Sequence, residues 1–196
     1  MAAISQQIED LFTGAAGDLD GVGGYAKMAG SGTTDLFIIA NATLEGTQCV
    51  AIRNAAAAQT IGYERTLTTA RVAGTDFWRI TWLVRIEATA TASEKIWLTL
   101  SDGAGSVYAG IDGNNALAIA MDRVGANIYA YYADDSAAGF TAISTALAAT
   151  GVTAALRVDI YPNNTYELFL DADNDGEGWV SIRSGTLVAS QEAIAR

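Results

Sequence analysis

The stretch from Leu156 to Ile182 reads LRVDIYPNNTYELFLDADNDGEGWVSI, and its pattern decides the fold. Apolar residues first alternate with Arg157 and Asp159, and period-two alternation predicts a strand with one face in a core. We therefore expect the apolar residues inside and Arg157 and Asp159 outside. After a Pro-Asn-Asn turn, a second run of the same kind predicts the other strand of a hairpin. Its inward positions are Tyr166, Leu168 and Leu170.

A longer alternating run, DFWRITWLVRIEA, lies earlier in the chain, from Asp76 to Ala88. Large apolar residues occupy one face of this predicted strand, and two tryptophans among them would be large anchors in a core. These inward positions are Trp78, Ile80, Trp82, Val84 and Ile86. The polar residues of the opposite face are Arg79, Thr81, Arg85 and Glu87.

Shorter runs of the same kind fill most of the chain and are separated by clusters of Gly, Asp and Asn. They number ten or more, with no regular alternation of strand and helix. This pattern predicts an all-β fold, an antiparallel sandwich or jelly roll. We expect one domain over 14–196, preceded by an arm or short helix over 1–13. For the Ala- and Thr-rich segment 137–155 we expect a loop with a short helix.

The composition argues against several classes of function. The chain has 22 acidic and 11 basic residues and a formal net charge of −11. Phosphate backbones and anionic lipids should repel it, so we expect no nucleic-acid binding and no membrane binding. It has no histidine, which removes His-based triads, histidine general bases and His-rich metal sites. The single cysteine, Cys49, lies in an alternating apolar run and is expected to be a buried small residue.

The N-terminal stretch MAAISQQIEDLFTG has neither a basic start nor a long apolar core. It therefore predicts no signal peptide, and we expect synthesis in a cytoplasm. Ile4, Ile8, Leu11 and Phe12 recur at helical spacing. A helix of two or three turns is unstable alone, so we expect this apolar arm to dock on a partner.

The acidic part of the opening stretch matches the first half of a calcium loop, D-x-D-x-D-G, over residues 171–176. Such loops in helical proteins carry a bidentate glutamate at the twelfth position. That position is Ile182, on a predicted strand, which excludes a helix–loop–helix site. Two interpretations remain, a solvated acidic hairpin loop or a calcium site. The calcium ligands would be Asp171, Asp173, Asp175 and Glu177.

Three segments together resemble the concanavalin-A-like, laminin-G-type jelly roll: DFWRITWLVRIEA, IWLTLSDGAGS, and LRVDIYPNNTYELFLDAD followed by GWVSI. The opening LFTGAAGDLDGVGGY resembles the first segment of such domains in bacteriophage virion proteins, and the resemblance covers roughly residues 10 to 190. It implies a non-enzymatic protein located in a virion, as a capsid decoration (cement) protein or fibre component. It also implies a capsid or other virion protein as partner, and a homo-oligomer, with a trimer favoured.

The same superfamily includes lectins and hydrolases, which imply two alternatives. A lectin-like role would be glycan binding at a host surface, with stacking residues Trp97, Tyr129 and Tyr131. The hydrolases carry Glu-x-Asp-x-(x)-Glu on one strand, whereas here Glu167 and Asp171 lack the middle acid. A glycosidase needs two carboxyls about 5 to 9 Å apart across the sugar. We therefore expect no enzymatic activity and no catalytic residue.

Overall fold

The computed structural model describes residues 17–18, 25–27, 36–40, 48–52, 63–65, 69–85, 95–101, 115–133, 141–187 and 194. This part of the chain is rich in strands and contains no helix, which is consistent with the predicted all-β class. Consequently no helix in these ranges could cross a membrane. The predicted arm over 1–13, with Ile4, Ile8, Leu11 and Phe12, lies outside the described residues.

The described residues form thirteen strands, numbered here in chain order. The strands are β1 (Gly17–Asp18), β2 (Tyr25–Lys27), β3 (Leu36–Ala40), β4 (Gln48–Ile52), β5 (Tyr63–Arg65), β6 (Trp78–Val84), β7 (Lys95–Ser101), β8 (Asn115–Val124), β9 (Asn127–Ala133), β10 (Thr141–Ala149), β11 (Ala154–Ile160), β12 (Thr165–Asp171) and β13 (Val180–Thr186). Two of the sheets have four strands each, and two smaller ones join β1, β3 and β4, and β2 and β5.

The first four-stranded sheet, here the hairpin sheet, has the order β13-β12-β11-β6 and is antiparallel throughout. Its centre is the hairpin predicted from the opening stretch, with Leu156 opposite Leu170 and Ile160 opposite Tyr166. On the other side of β11, Trp82 of β6 lies opposite Leu156. The two long alternating runs of the sequence are therefore neighbours in one sheet.

The second four-stranded sheet, here the meander sheet, pairs β7, β8, β9 and β10 in chain order, all antiparallel. Its last strand, β10, occupies the segment for which a loop with a short helix was expected, so that prediction was wrong. The β-branched residues Thr141, Ile143 and Thr145 alternate there and favour a strand. Ile143 is 7% exposed, so the alternation also supplies an inward apolar side chain. The alanines of this strand weaken the contrast between its two faces, which is why the sequence did not predict it.

One buried apolar cluster draws on both four-stranded sheets, in a sandwich-like arrangement. The predicted inward residues of the hairpin are in it, and Trp78, Ile80 and Trp82 are partly buried against it. At about 25 cal/mol for each Å² of apolar surface removed from water, this cluster is the main source of stability. Its members are Val84, Leu100, Leu117, Ile119, Met121, Ile128, Ala130, Tyr132, Ile143, Ala154, Leu156, Val158, Ile160, Tyr166, Leu168, Leu170, Leu187 and Ile194.

The outer face of the hairpin sheet departs from the simple pattern at Asp159. The alternation places Asp159 outside the core, yet it is only 3% exposed. Arg79 of the neighbouring strand β6 donates to both of its carboxylate oxygens, from Nε at 2.8 Å and from Nη2 at 2.7 Å. The guanidinium covers the carboxylate, and a bidentate pair of this kind is among the stronger charge-assisted contacts.

Candidate functional site

The acidic stretch forms the loop between β12 and β13, with Leu170 opposite Val180 across its base. The chain turns back over residues 172–179, and three of its residues have left-handed backbone conformations. These are Asn174 with φ 54°, Gly176 with φ 84° and Gly178 with φ 66°. Asn and Gly adopt this conformation at the lowest cost. The prediction of a hairpin is therefore confirmed, and Ile182, the twelfth position, lies in β13.

Three aspartates converge inside this loop. Asp171, Asp173 and Asp175 each place one carboxylate oxygen within 4.8 Å of the others. They border an open depression of about 390 Å³, whose opposite wall includes Ala148 and Ala149 of β10. The fourth candidate ligand, Glu177, also borders the depression but is not part of the three-aspartate group.

Asp171 is the buried member of the group. It is 1% exposed, whereas Asp173 and Asp175 are exposed. Its Oδ2 accepts a hydrogen bond from the backbone N–H of Gly176 at 2.9 Å. Its Oδ1 is buried and has no hydrogen-bond partner in the part of the chain that the structure describes. One carboxylate oxygen of the group therefore has unused acceptor capacity in a place that bulk water does not reach.

The pKa values of Asp171 and Asp173 are shifted in opposite directions by their surroundings. Burial acts to raise the pKa of Asp171, but hydrogen bonding to its carboxylate, chiefly from the backbone N–H of Gly176, outweighs it, so its pKa is lowered. The pKa of Asp173 is raised, first by the adjacent carboxyl group of Asp171 and then by the negative charge of Asp175. The group thus holds a buried ionised carboxylate beside two others, and a hard cation with oxygen ligands is the species that would relieve it.

A second feature, missed by the sequence analysis, is a row of arginine and aromatic side chains on the outer face of the hairpin sheet. The guanidinium of Arg157 lies between two rings, 4.2 Å from the centroid of Phe169 and 4.6 Å from that of Trp179. Its Nε is also 3.5 Å from Oδ1 of Asp159, which binds Arg79. In the sequence, an arginine on the outer face of a strand is indistinguishable from a solvated charge. The partners of these arginines lie up to 80 residues away in the chain, so no local sequence pattern predicts the contacts.

A third feature, here the docking tip, lies where the chain enters β6. Val72 is 56% exposed and Phe77 is 44% exposed. The ring of Phe77 lies 5.5 Å from that of Tyr161, in the turn between β11 and β12. Gly74 N donates to the carbonyl of Pro162 in the same turn at 2.8 Å. Two apolar side chains are thus presented to solvent on the segment before β6, which the turn between β11 and β12 contacts.

Arg71 lies at the start of the docking-tip segment and is buried, with 2% of its surface exposed. Its Nη2 donates to the carbonyl of Tyr161 at 2.7 Å and to Oδ1 of Asn164 at 2.9 Å. Its backbone N–H donates to the carbonyl of Ile194 at 2.8 Å. A buried arginine therefore connects the tip to the neighbouring turn and to Ile194.

The three glycan candidates all lie in the meander sheet. Strand register places Trp97 opposite Ala120, and Ala120 opposite Tyr131, so the two aromatic positions share one cross-strand row. They are two strands apart, or about 10 Å. Tyr129 occupies the next row on the same face, opposite Asp122. Register thus places the three proposed glycan residues on one face of the meander sheet.

The hydrolase candidates do not form a suitable pair. Glu167 and Asp171 both alternate with the inward residues of β12, so they share its outer face. Their Cα atoms, four residues apart on an extended strand, are about 13 Å apart, whereas glycosidases hold two carboxyls about 5 to 9.5 Å apart across the sugar. The strand spacing therefore does not favour this pair as a glycosidase site.

Comparison with known proteins gave no match: no protein-family model fits the chain, and neither a curated protein nor a solved structure is detectably similar. Function must therefore be inferred from the described surfaces and from the chemistry of their residues.

Proposed function

We propose that this chain is a non-enzymatic structural component of a bacteriophage virion, a capsid decoration (cement) or fibre protein that attaches to another virion protein. A jelly-roll topology and a homo-oligomeric state, with a trimer favoured, are parts of the same proposal. The resemblance of the hairpin segments and of the first segment to such domains supports it. The observation that carries the attachment role is the docking tip.

The docking tip has the properties of a protein-binding surface. Val72 and Phe77 are large, apolar and half exposed on one short segment, and we propose that they form one apolar patch of the kind that marks interaction sites. The buried Arg71 and the neighbouring turn hold them in place, so binding would lose little conformational entropy. With a net charge of −11, the chain should prefer a partner surface that is apolar at its centre and neutral or basic around it.

The first experiment asks whether the protein belongs to a particle. Purified virions should contain it by mass spectrometry at a fixed copy number. We expect Phe77→Asp, combined with Val72→Asp, to lower this occupancy at least tenfold, because an interface centre cannot bury two unpaired carboxylates without a large penalty. Absence of the protein from virions, or full occupancy by the double variant, would contradict the proposal.

Val124→Asp is the matched control, since Val124 is also exposed, at 51%, but lies at the end of β8 in the other sheet. We expect its occupancy to equal that of the unmodified protein. Deletion of residues 1–13 tests the arm in the same assay, and loss of binding is expected there as well. Circular dichroism and the melting temperature of each variant separate loss of docking from loss of folding.

A lectin-like role at a host surface is the second candidate, and the row formed by Trp97, Ala120 and Tyr131 favours it. Two aromatic positions separated by a small residue suit the apolar face of a sugar ring. A glycan array should then show binding that Tyr131→Ala abolishes and that the double variant of the docking tip leaves unchanged. An array without any bound glycan would remove this candidate.

A further inference from the structure

The loop between β12 and β13 contains an oxygen that its own chain does not satisfy. Oδ1 of Asp171 is buried and has no hydrogen-bond partner among the described residues, while Oδ2 of the same carboxylate accepts from Gly176 at 2.9 Å. Native proteins rarely leave a buried polar atom without a partner, and each such atom calls for an explanation. For an ionised carboxylate the penalty is larger than for a neutral group, so a missing positive partner is the natural explanation.

The neighbouring oxygens have the spacing of ligands around one ion. Calcium binds oxygen at 2.3–2.6 Å, so two ligands of one ion lie at most about 5 Å apart. One carboxylate oxygen from each of Asp171, Asp173 and Asp175 lies within 4.8 Å of the other two, inside that limit. At the full 4.8 Å spacing, a cation equidistant from three oxygens would lie about 2.8 Å from each, so a small inward rotation of the carboxylates would bring all three to calcium distances.

The shape of the loop allows the remaining ligands to be supplied. The aspartates border an open depression of about 390 Å³, which leaves room for water, and the side chain of Glu177 lines the same space. Calcium takes six to eight oxygens in adaptable geometry, whereas magnesium demands a near-ideal octahedron at shorter distances. A flexible set of three carboxylates completed by water suits calcium better.

We propose that Asp171, Asp173 and Asp175 bind one calcium ion, which connects the end of β12 to the loop that leads into β13. The ion supplies the charge that Oδ1 of Asp171 lacks and offsets the repulsion between the three carboxylates. Its expected effect is to stabilise the hairpin β12–β13 and so the edge strand of the hairpin sheet. The proposal does not depend on a role in a virion, and either can fail while the other holds.

Calorimetric titration of the full chain with calcium chloride, after removal of bound metal with EDTA, tests this site. We expect saturable binding of one ion. At ten times the dissociation constant, the melting temperature should rise by about 3–6 °C. Magnesium at the same concentration should produce a smaller shift. No saturable binding up to millimolar calcium, or equal shifts with both metals, would overturn the proposal.

Two exposed ligands provide variants that keep the fold. Asp173→Asn and Asp175→Asn should each lower calcium affinity at least tenfold, because each replaces a charged ligand with a neutral one. Glu167→Gln is the matched control, since it removes an acid of β12, the strand that ends in Asp171, from outside the group, and it should bind calcium like the unmodified protein. Calcium binding that persists unchanged in Asp173→Asn and Asp175→Asn would place the ion elsewhere and refute the assignment.

Discussion

The two ends of β12 are closed in different ways. At the Thr165 end, the turn contains the left-handed residue Asn164, with φ 64°. The side chain of Asn164 accepts from Arg71, and its carbonyl accepts from Leu187 N at 2.9 Å. At the Asp171 end, the loop contains the left-handed residue Asn174, with φ 54°. There, three carboxylates gather and one buried oxygen has no partner among the described residues.

The difference lies in hydrogen bonding: one turn pairs its acceptors with donors of the chain itself, whereas the other has acceptors that a ligand could use. The first end has a cation of its own, the guanidinium of Arg71, directed at a carbonyl and an amide oxygen. The second end has an excess of acceptors, and the donors described for it are backbone N–H groups of the loop. Breaking the first end should therefore destabilise the protein in any buffer, whereas changes at the second should depend on calcium.

The largest effect is expected at the first end from Arg71→Ala. It removes two hydrogen bonds and leaves a cavity and two unpaired acceptors, so the free energy of unfolding should fall by about 3–4 kcal/mol. Urea denaturation measures this loss, which should be the same in calcium and in EDTA. Arg71→Met keeps much of the buried volume and should lose less. A loss below 1 kcal/mol for Arg71→Ala would show that the turn does not rely on this residue.

A smaller effect is expected for Asn164→Ala. The variant loses the acceptor for Arg71, and alanine must adopt a left-handed backbone, so we expect a loss of about 2 kcal/mol. Asn164→Gly separates the two causes, since glycine tolerates the backbone and removes only the acceptor, at about 1 kcal/mol. Equal losses for both variants in urea denaturation would show that backbone conformation contributes nothing here.

At the second end, Gly176→Ala should cost about 1 kcal/mol, because Gly176 has φ 84° and alanine disfavours that region. No atom lies within 4 Å of the added Cβ, so the cost is conformational. Gly125→Ala, with φ 64° and the same open surroundings, is the matched control. Both should lower thermal stability, but only Gly176→Ala should also weaken calcium binding. If both variants changed calcium affinity equally, the backbone conformation at Gly176 would have no specific role in the calcium site.

The smallest effect, and one of opposite sign, is expected for Asp173→Asn in EDTA. This change removes one of three adjacent negative charges, so the melting temperature should rise by about 1–2 °C. In saturating calcium the same variant should be less stable than the unmodified protein, because it lacks a ligand. If Asp173→Asn melted at a lower temperature than the unmodified protein in EDTA, repulsion between the three carboxylates would not be a significant destabilising term.

Much of the hairpin sheet could be predicted from local pattern. The alternation in β11 and β12 identified six inward residues, all of them buried: Leu156, Val158, Ile160, Tyr166, Leu168 and Leu170. The three aspartates of the loop could also be found, because their spacing is encoded in adjacent residues. The strand β10 was missed because alanine weakens the contrast between its two faces.

Other features depend on partners that are distant in the chain. Arg71 is separated by 93 residues from Asn164, and Arg79 by 80 from Asp159. A linear pattern shows only that these residues are charged, and charged residues are mostly exposed. The burial of Arg71 follows from the meeting of two turns and that of Asp159 from strand pairing, and neither has a local signature.

The sequence by itself determined the strand-rich character, the central hairpin and the acidic composition of its loop, because period-two alternation and turn residues act over a few neighbouring positions. Only the tertiary structure decided which charges are buried, which oxygen of Asp171 lacks a partner and which apolar side chains form the docking tip. The physical reason is that hydrogen bonding and burial depend on distances between residues that the chain brings together only when it folds.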